Sequence, residues 1–210
     1  MAKVSLYELE YIIFDFETTG LNPDEGAEII EIGAIKLRGT EPTGETFHSL
    51  INIQKKIPEQ AKAINGISDK DLEGQPTIEE IFPKFIRFIG AKILIAHNAG
   101  FDLDFITENL KRFPQLSFTN FCIDTLQLSR SLFSYEKSHN LDAIAQRFGI
   151  IPEKSRHRSL GDCTITAKIF IEFLKILKRK NSATLHHIRA SILHPPKLNY
   201  EMPMESLSLL

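Results

Sequence analysis

Long apolar runs are missing from this sequence. No stretch approaches the roughly 20 residues that a membrane-spanning helix needs, and Met1–Glu8 holds no continuous apolar segment of the kind a signal peptide carries. Neither a transmembrane helix nor a signal peptide is expected. An excess of positive charge is missing too. The formal net charge is −2 over 210 residues, which excludes a globally basic chain that coats nucleic acid non-specifically. Cysteine is scarce: Cys122 and Cys163 are the only two. That excludes a disulfide framework and fits a reducing, cytoplasmic location. There are no internal repeats and no low-complexity tract. The length suffices for one substantial domain with an appendage.

What is present reads as alternating strands and helices. Apolar patterning predicts strands at about Tyr11–Glu17, Glu28–Leu37 and Glu45–Ile53, joined by turn-rich links, with a hairpin connection at Gly39–Gly44. These three strands follow one another in antiparallel order. A short helix is expected over Pro58–Ala63. A longer one follows over Ile78–Ile89, with Thr77 and Glu80 as a capping box and Gly90 as its stop. Ile93–Ala96 reads as a short buried strand, His97–Gly100 as a turn, and a helix begins near Asp102. A fifth strand is expected over Phe118–Ile123. Helices follow over about Thr125–Leu132, Leu141–Phe148 and Leu160–Lys178. The predicted fold is α/β with a mixed five-stranded sheet, three antiparallel strands then two parallel ones, flanked by helices. Residues 1–180 form the domain, and 181–210 read as a C-terminal tail or adaptor.

The first strand carries the chemistry. Asp15 and Glu17 interrupt Ile12-Ile13-Phe14-Asp15-Phe16-Glu17. Residues i and i+2 share a face of a strand, so two carboxylates stand side by side on a hydrophobic element. This is costly unless a cation lies between them, and no Lys, Arg or His within the strand supplies one. A bound metal would. The plainer reading, a strand end reaching water, suits an isolated pair. Further acids tip the balance. Asp102 starts a helix, where an acid also simply complements the N-terminus. Asp162 heads a stripe of Ile165, Ile169, Phe173 and Ile176 along one helix face, or else closes a capping box with Ser159 as N-cap. His157 precedes that helix, and a histidine's ordinary pKa of about 6.5 suits a base working near neutrality.

These residues carry a resemblance. Phe14-Asp15-Phe16-Glu17-Thr18-Thr19-Gly20, His97-Asn98-Ala99-Gly100-Phe101-Asp102 and His157-Arg158-Ser159-Leu160-Gly161-Asp162 resemble the three motifs of the DEDDh 3′–5′ exonucleases. The similarity spans about residues 10–178 and is nearest to the proofreading (epsilon) subunits of bacterial DNA polymerase III. Ile64-Asn65-Gly66-Ile67-Ser68 resembles that group's intermotif segment, which more often has His at Asn65. A Tyr subclass would place Tyr where Arg158 stands; His157 fits the His subclass.

The resemblance implies an RNase H-like fold and hydrolysis of DNA 3′ ends to nucleoside 5′-monophosphates in proofreading or repair. It implies two divalent cations, Mg²⁺ or Mn²⁺, held by Asp15, Glu17, Asp102 and Asp162, with Asp15 touching both and His157 as general base. Thr18, Leu21, Asn98 and Phe101 would contact the terminal nucleotide. The implied partners are a single-stranded or frayed DNA 3′ end and a DNA polymerase catalytic subunit. RNA trimming on the same scaffold is an alternative, although oligoribonuclease-like chains usually carry Met at Thr18. A catalytically inactive binding or scaffolding module is a third reading, opposed by the full acidic set. The tail residues Leu207–Leu210 resemble short peptides that dock on the sliding clamp, without the usual leading Gln and terminal Phe.

Overall fold

The structure is a computed structural model that describes residues 4–151 and 157–195. Its sheet has six strands in the order β3-β2-β1-β4-β5-β6. The first three are β1 (Glu10–Thr18), β2 (Ile29–Arg38) and β3 (Glu41–Leu50). They form an antiparallel meander. The next two, β4 (Ile93–Ala96) and β5 (Cys122–Asp124), run parallel to β1. The crossovers are helical: α1 (Glu59–Asn65), α2 (Asp69–Leu72) and α3 (Ile78–Ile89) lead into β4, and α4 (Ala99–Arg112) leads into β5. Three further helices follow, α5 (Thr125–Leu132), α6 (Leu141–Arg147) and α7 (Ser159–Arg179). Among the described residues no helix is long and apolar enough to cross a membrane.

The strand alternation predicted for β1 decides where everything else packs. Ile12, Phe14 and Phe16 face one core with the apolar stripes of α3 and α4. Tyr11 and Ile13 face the other, built on α5, α6 and α7. A strand covered on both sides has no face to give to water. The carboxylates of Asp15 and Glu17 therefore emerge only at its C-terminal end. The capping box predicted for α3 is formed, with Thr77 N–H donating to Glu80 Oε2 at 2.9 Å.

Three expectations are corrected. The sheet has a sixth strand, Ile192–Leu193 (β6), paired antiparallel with β5. A two-residue strand is too short to show alternation, so the pattern could not announce it. It lies within the segment set apart as a tail. There Ile188 is buried against the α7 core, and Leu6 N–H donates to Ala183 O at 3.0 Å. Next, β3 starts at Glu41 directly after a turn at Gly39 (φ +58), because Gly44 is absorbed into the strand where the β2–β3 register shifts. Finally, β5 is shorter than Phe118–Ile123. Asn120 turns its amide onto the carbonyls of Gly90 and Lys92 instead of joining a ladder. The Leu207–Leu210 segment lies outside the described residues.

One glycine marks a close approach. A Cβ on Gly33 of β2 would lie 2.6 Å from both the carbonyl carbon and the Oγ of Ser159, at the start of α7. Gly33→Ala is expected to push that helix end off the sheet, at a cost of about 1–3 kcal/mol by overpacking. Thermal or urea unfolding measures this; an unchanged midpoint would show that the contact is looser than described.

Candidate active site

Three carboxylates converge at the C-terminal end of β1. One oxygen each from Asp15, Glu17 and Asp162 lies within 4.8 Å of the others. Asp15 and Glu17 come from the strand, and Asp162 from the first turn of α7. The alternative in which Ser159 caps this helix is not realised: Arg158 is the N-cap, and Ser159 is already helical and buried. Asp162 thus heads the buried stripe of Ile165, Ile169 and Phe173. Asp102 is in the first turn of α4, as an N-terminal acid would be, but it is only 3 % exposed. Its Oδ1 accepts from Phe16 N–H, between the two strand acids, at 3.2 Å. Asp102 therefore adjoins the cluster but stands outside the 4.8 Å group.

The electrostatics are those of crowded anions. Burial first, then the charges of Asp162, Glu31 and Asp102, push the Glu17 carboxyl up to about 8; Arg158 opposes them. Burial pushes Asp102 up to about 8 against the Phe16 N–H bond. A site of oxygen donors that resist ionisation suits a divalent cation, which would replace protons as the neutralising charge.

Glu31 was not singled out from the sequence, and it explains why α7 lies where it does. It faces Glu17 directly across the β1–β2 ladder and is 1 % exposed. Arg158 grips it from Nη2 at 2.7 Å and Nε at 3.1 Å, His48 Nε2 is 2.7 Å away, and Ser159 N–H donates at 2.9 Å. Burial alone would raise its pKa, but the Arg158, His48 and Ser159 hydrogen bonds hold it below the ordinary carboxylate value. The available signal was a single acid inside Ile29-Ile30-Glu31-Ile32.

A second buried acid, Asp124, was also missed. Its Oδ1 accepts from Asn98 N–H (3.1 Å) and Leu126 N–H (2.8 Å). It thereby caps α5 and holds Asn98 in the left-handed conformation (φ +62) that launches α4. The Asn98 side chain stays exposed. His97 Nδ1 lies 3.0 Å from Thr125 Oγ1. Thr18 Oγ1 donates to Gly20 O at 2.7 Å, and Leu21 projects at the turn tip, 84 % exposed. Phe101 is half-buried against Phe105, ring centroids 5.1 Å apart, so core packing uses part of it.

Asp15, Asp162 and the exposed His157 line one cleft of about 610 Å³. Comparison with known proteins gives this arrangement its context. The RNase T family model, described as Exonuclease, matches residues 12–170.

The chain belongs to the exonuclease family.

The exonuclease domain is 36% identical over 173 residues to the DNA polymerase III subunit epsilon of Aquifex aeolicus, covering 82% of this chain and 84% of that protein. It is 35% identical over 204 residues to a DNA polymerase III subunit epsilon-like protein of Rhodobacter capsulatus, covering 96% of this chain and 29% of that one. The chain spans less than a third of the length of several curated relatives it matches. Among solved structures, exonuclease X in complex with 5′-overhanging duplex DNA aligns with a TM-score of 0.66 at 24% identity, covering 85% of this chain and 99% of that one. At that identity the likeness shows the shared fold.

The raised Glu17 pKa predicts a pH dependence for the metal-free exonuclease domain. The folded chain holds this proton more tightly than an unfolded chain, whose value is near 4.5. The stabilisation is complete below about 4.5 and is lost as pH rises through about 8. The melting temperature without metal should fall over that range, and Mg²⁺ should restore it most at the alkaline end. A flat profile with and without metal would refute the crowding.

Proposed function

We propose that the chain is a metal-dependent 3′–5′ exonuclease that releases nucleoside 5′-monophosphates from DNA 3′ ends. The observation that carries this is the convergence of Asp15, Glu17 and Asp162 at one strand end, with His157 on the same cleft, in a chain of the exonuclease family. Asp15, Glu17 and Asp162 would hold one divalent ion, and Asp15 and Asp102 a second; all the donors are carboxylate oxygens, which suit Mg²⁺ or Mn²⁺. When bound, such a pair of ions lowers the pKa of an attacking water and stabilises the attacking and leaving oxygens of an in-line displacement.

The chain's own residues do the rest. His157 takes the proton of the attacking water at a ring nitrogen. The water oxygen joins phosphorus, the bond to the 3′ oxygen of the preceding nucleotide breaks, and that oxygen is protonated to a new 3′-OH. The exposed Leu21 would meet the terminal base, and the Thr18 backbone, Asn98 and the open part of Phe101 would flank the terminal nucleotide. Relatives named as subunits of DNA polymerase III support a polymerase catalytic subunit as partner.

Digestion of 5′-labelled DNA and RNA, side by side, with and without Mg²⁺ or Mn²⁺, tests this. A ladder shortening from the 3′ end, faster on DNA and absent without metal, is expected. Asp15→Ala should abolish it, and His157→Ala should lower kcat by about 10²–10⁴-fold. Undiminished digestion by Asp15→Ala would overturn the proposal, and a marked preference for RNA would redirect it to an exoribonuclease.

A further inference from the structure

The cleft has a second, cationic side. Leu126 and Arg130, four residues apart on one face of α5, line it together with Asp15 and Asp162, and Lys137, His139 and Asn140 line it from the connection to α6. Arg130 and Lys137 are exposed, and neither forms an ion pair among the described residues. Glu136, the acid beside Lys137, is taken up by Arg147 at 3.3 Å. Among the described residues the pair is thus un-neutralised, in a cleft that Asp15 and Asp162 also line.

The segment that carries these groups is well tied down. Thr125 Oγ1 bonds Ala96 O at 3.2 Å, which fixes α5 to the end of β4. The buried Ser129 Oγ lies 2.8 Å from His139 Nδ1; with the serine donating, the His139 Nε2–H remains a donor. Asn140 Oδ1 accepts from Ala143 N–H at 2.8 Å to cap α6, and its Nδ2 amide stays a donor. Arg147 donates to Ser138 O at 3.1 Å. The backbone that carries the two cations is thus fixed, beside two further hydrogen-bonding side chains, His139 and Asn140.

Charge decides what they are for. A nucleic-acid strand brings one negative charge per phosphate. The chain's net charge of −2 offers it no general attraction, and the acidic cluster repels it. Metal would answer only the scissile phosphate. Because the released nucleotide takes that phosphate with it, every other phosphate lies on its 5′ side. We propose that Arg130 and Lys137, with His139 and Asn140, form a binding site for the phosphodiesters 5′ of the scissile bond, reading backbone charge and not base identity. This rests on the exonuclease reading for the strand's direction; the binding itself does not need catalysis.

The test is the affinity of fluorescent dT12, dA12 and rU12 for the whole chain in Ca²⁺, measured by anisotropy between about 50 and 200 mM salt. Each phosphate contact on a single strand contributes about −0.7 to the slope of log affinity against log salt. Arg130→Gln with Lys137→Gln should flatten the slope by about 1.4 and weaken binding roughly tenfold at the low-salt end, equally for all three strands. Arg130→Lys with Lys137→Arg should keep the slope, which a merely structural loss would not allow. Lys84→Gln, the same charge removed from α3 across the sheet, should match wild type. A double Gln variant with wild-type affinity and slope, a loss confined to one base, or a wild-type chain that binds no strand would overturn the proposal. A chain that binds as expected but releases no nucleotide would leave this site standing and refute the exonuclease reading instead.

Discussion

Repulsion among carboxylates at the end of β1 is the constraint on which the site depends. Two unit charges about 4 Å apart interact by on the order of 4 kcal/mol at the effective dielectric near a protein surface. Asp15, Glu17 and Asp162 are gathered to about that distance. Nothing in a strand requires this. It persists because β1 is clamped between two cores, and slipping its register by one residue would turn Phe14 and Phe16 into the opposite layer. The packing is strong enough to hold charges where they repel, and the repulsion is relieved by protons or by a cation.

Glu31 shows what the same burial does when donors are present. Glu17 and Glu31 face one another across neighbouring strands. Both are buried and both lose hydration. Glu31 meets a guanidinium, an imidazole and a backbone N–H, and its pKa falls. Glu17 meets mostly other carboxylates, and its pKa climbs to about 8. The fold thus separates an acid that joins elements from an acid of the candidate site. That difference in partners, more than burial, marks Glu17 as part of the site. Asp102 belongs with Glu17 in this respect, since the backbone N–H groups of Phe16 and of Asp102 itself do not offset its burial.

Much of this was legible in the sequence because it is local. The parity of Asp15 and Glu17 follows from a two-residue period, and the stripe below Asp162 from a helical one. The capping box of α3 needs only Thr77 and Glu80. The fold class followed from the order of periodic segments. What stayed hidden is held by partners far apart in the chain. Arg158 and Glu31 are 127 residues apart, and no local pattern around either one announces the pair. Asp124 acts through the backbone of Asn98, 26 residues earlier. β6 has two residues and no pattern. Ser159 matched a capping motif, but the Glu31 carboxylate took its N–H, and the helix start moved one residue earlier.

The same ion pair also governs the proposed base. His157 has φ +61, a left-handed conformation that costs a non-glycine residue about 1–2 kcal/mol. The next residue, Arg158, is pinned to Glu31 through two nitrogens, and the one after it through its backbone N–H. Those two fixed positions set where α7 begins, directly after the left-handed His157 and its neighbour Arg158. Three separate constraints therefore converge on one cleft. Packing places Asp15 and Glu17, the close approach of Gly33 to Ser159 places Asp162, and the Glu31–Arg158 pair fixes the residue next to His157. Glu31 touches no reacting group in this scheme, but it fixes the start of α7, the helix that carries Asp162 and begins two residues after His157.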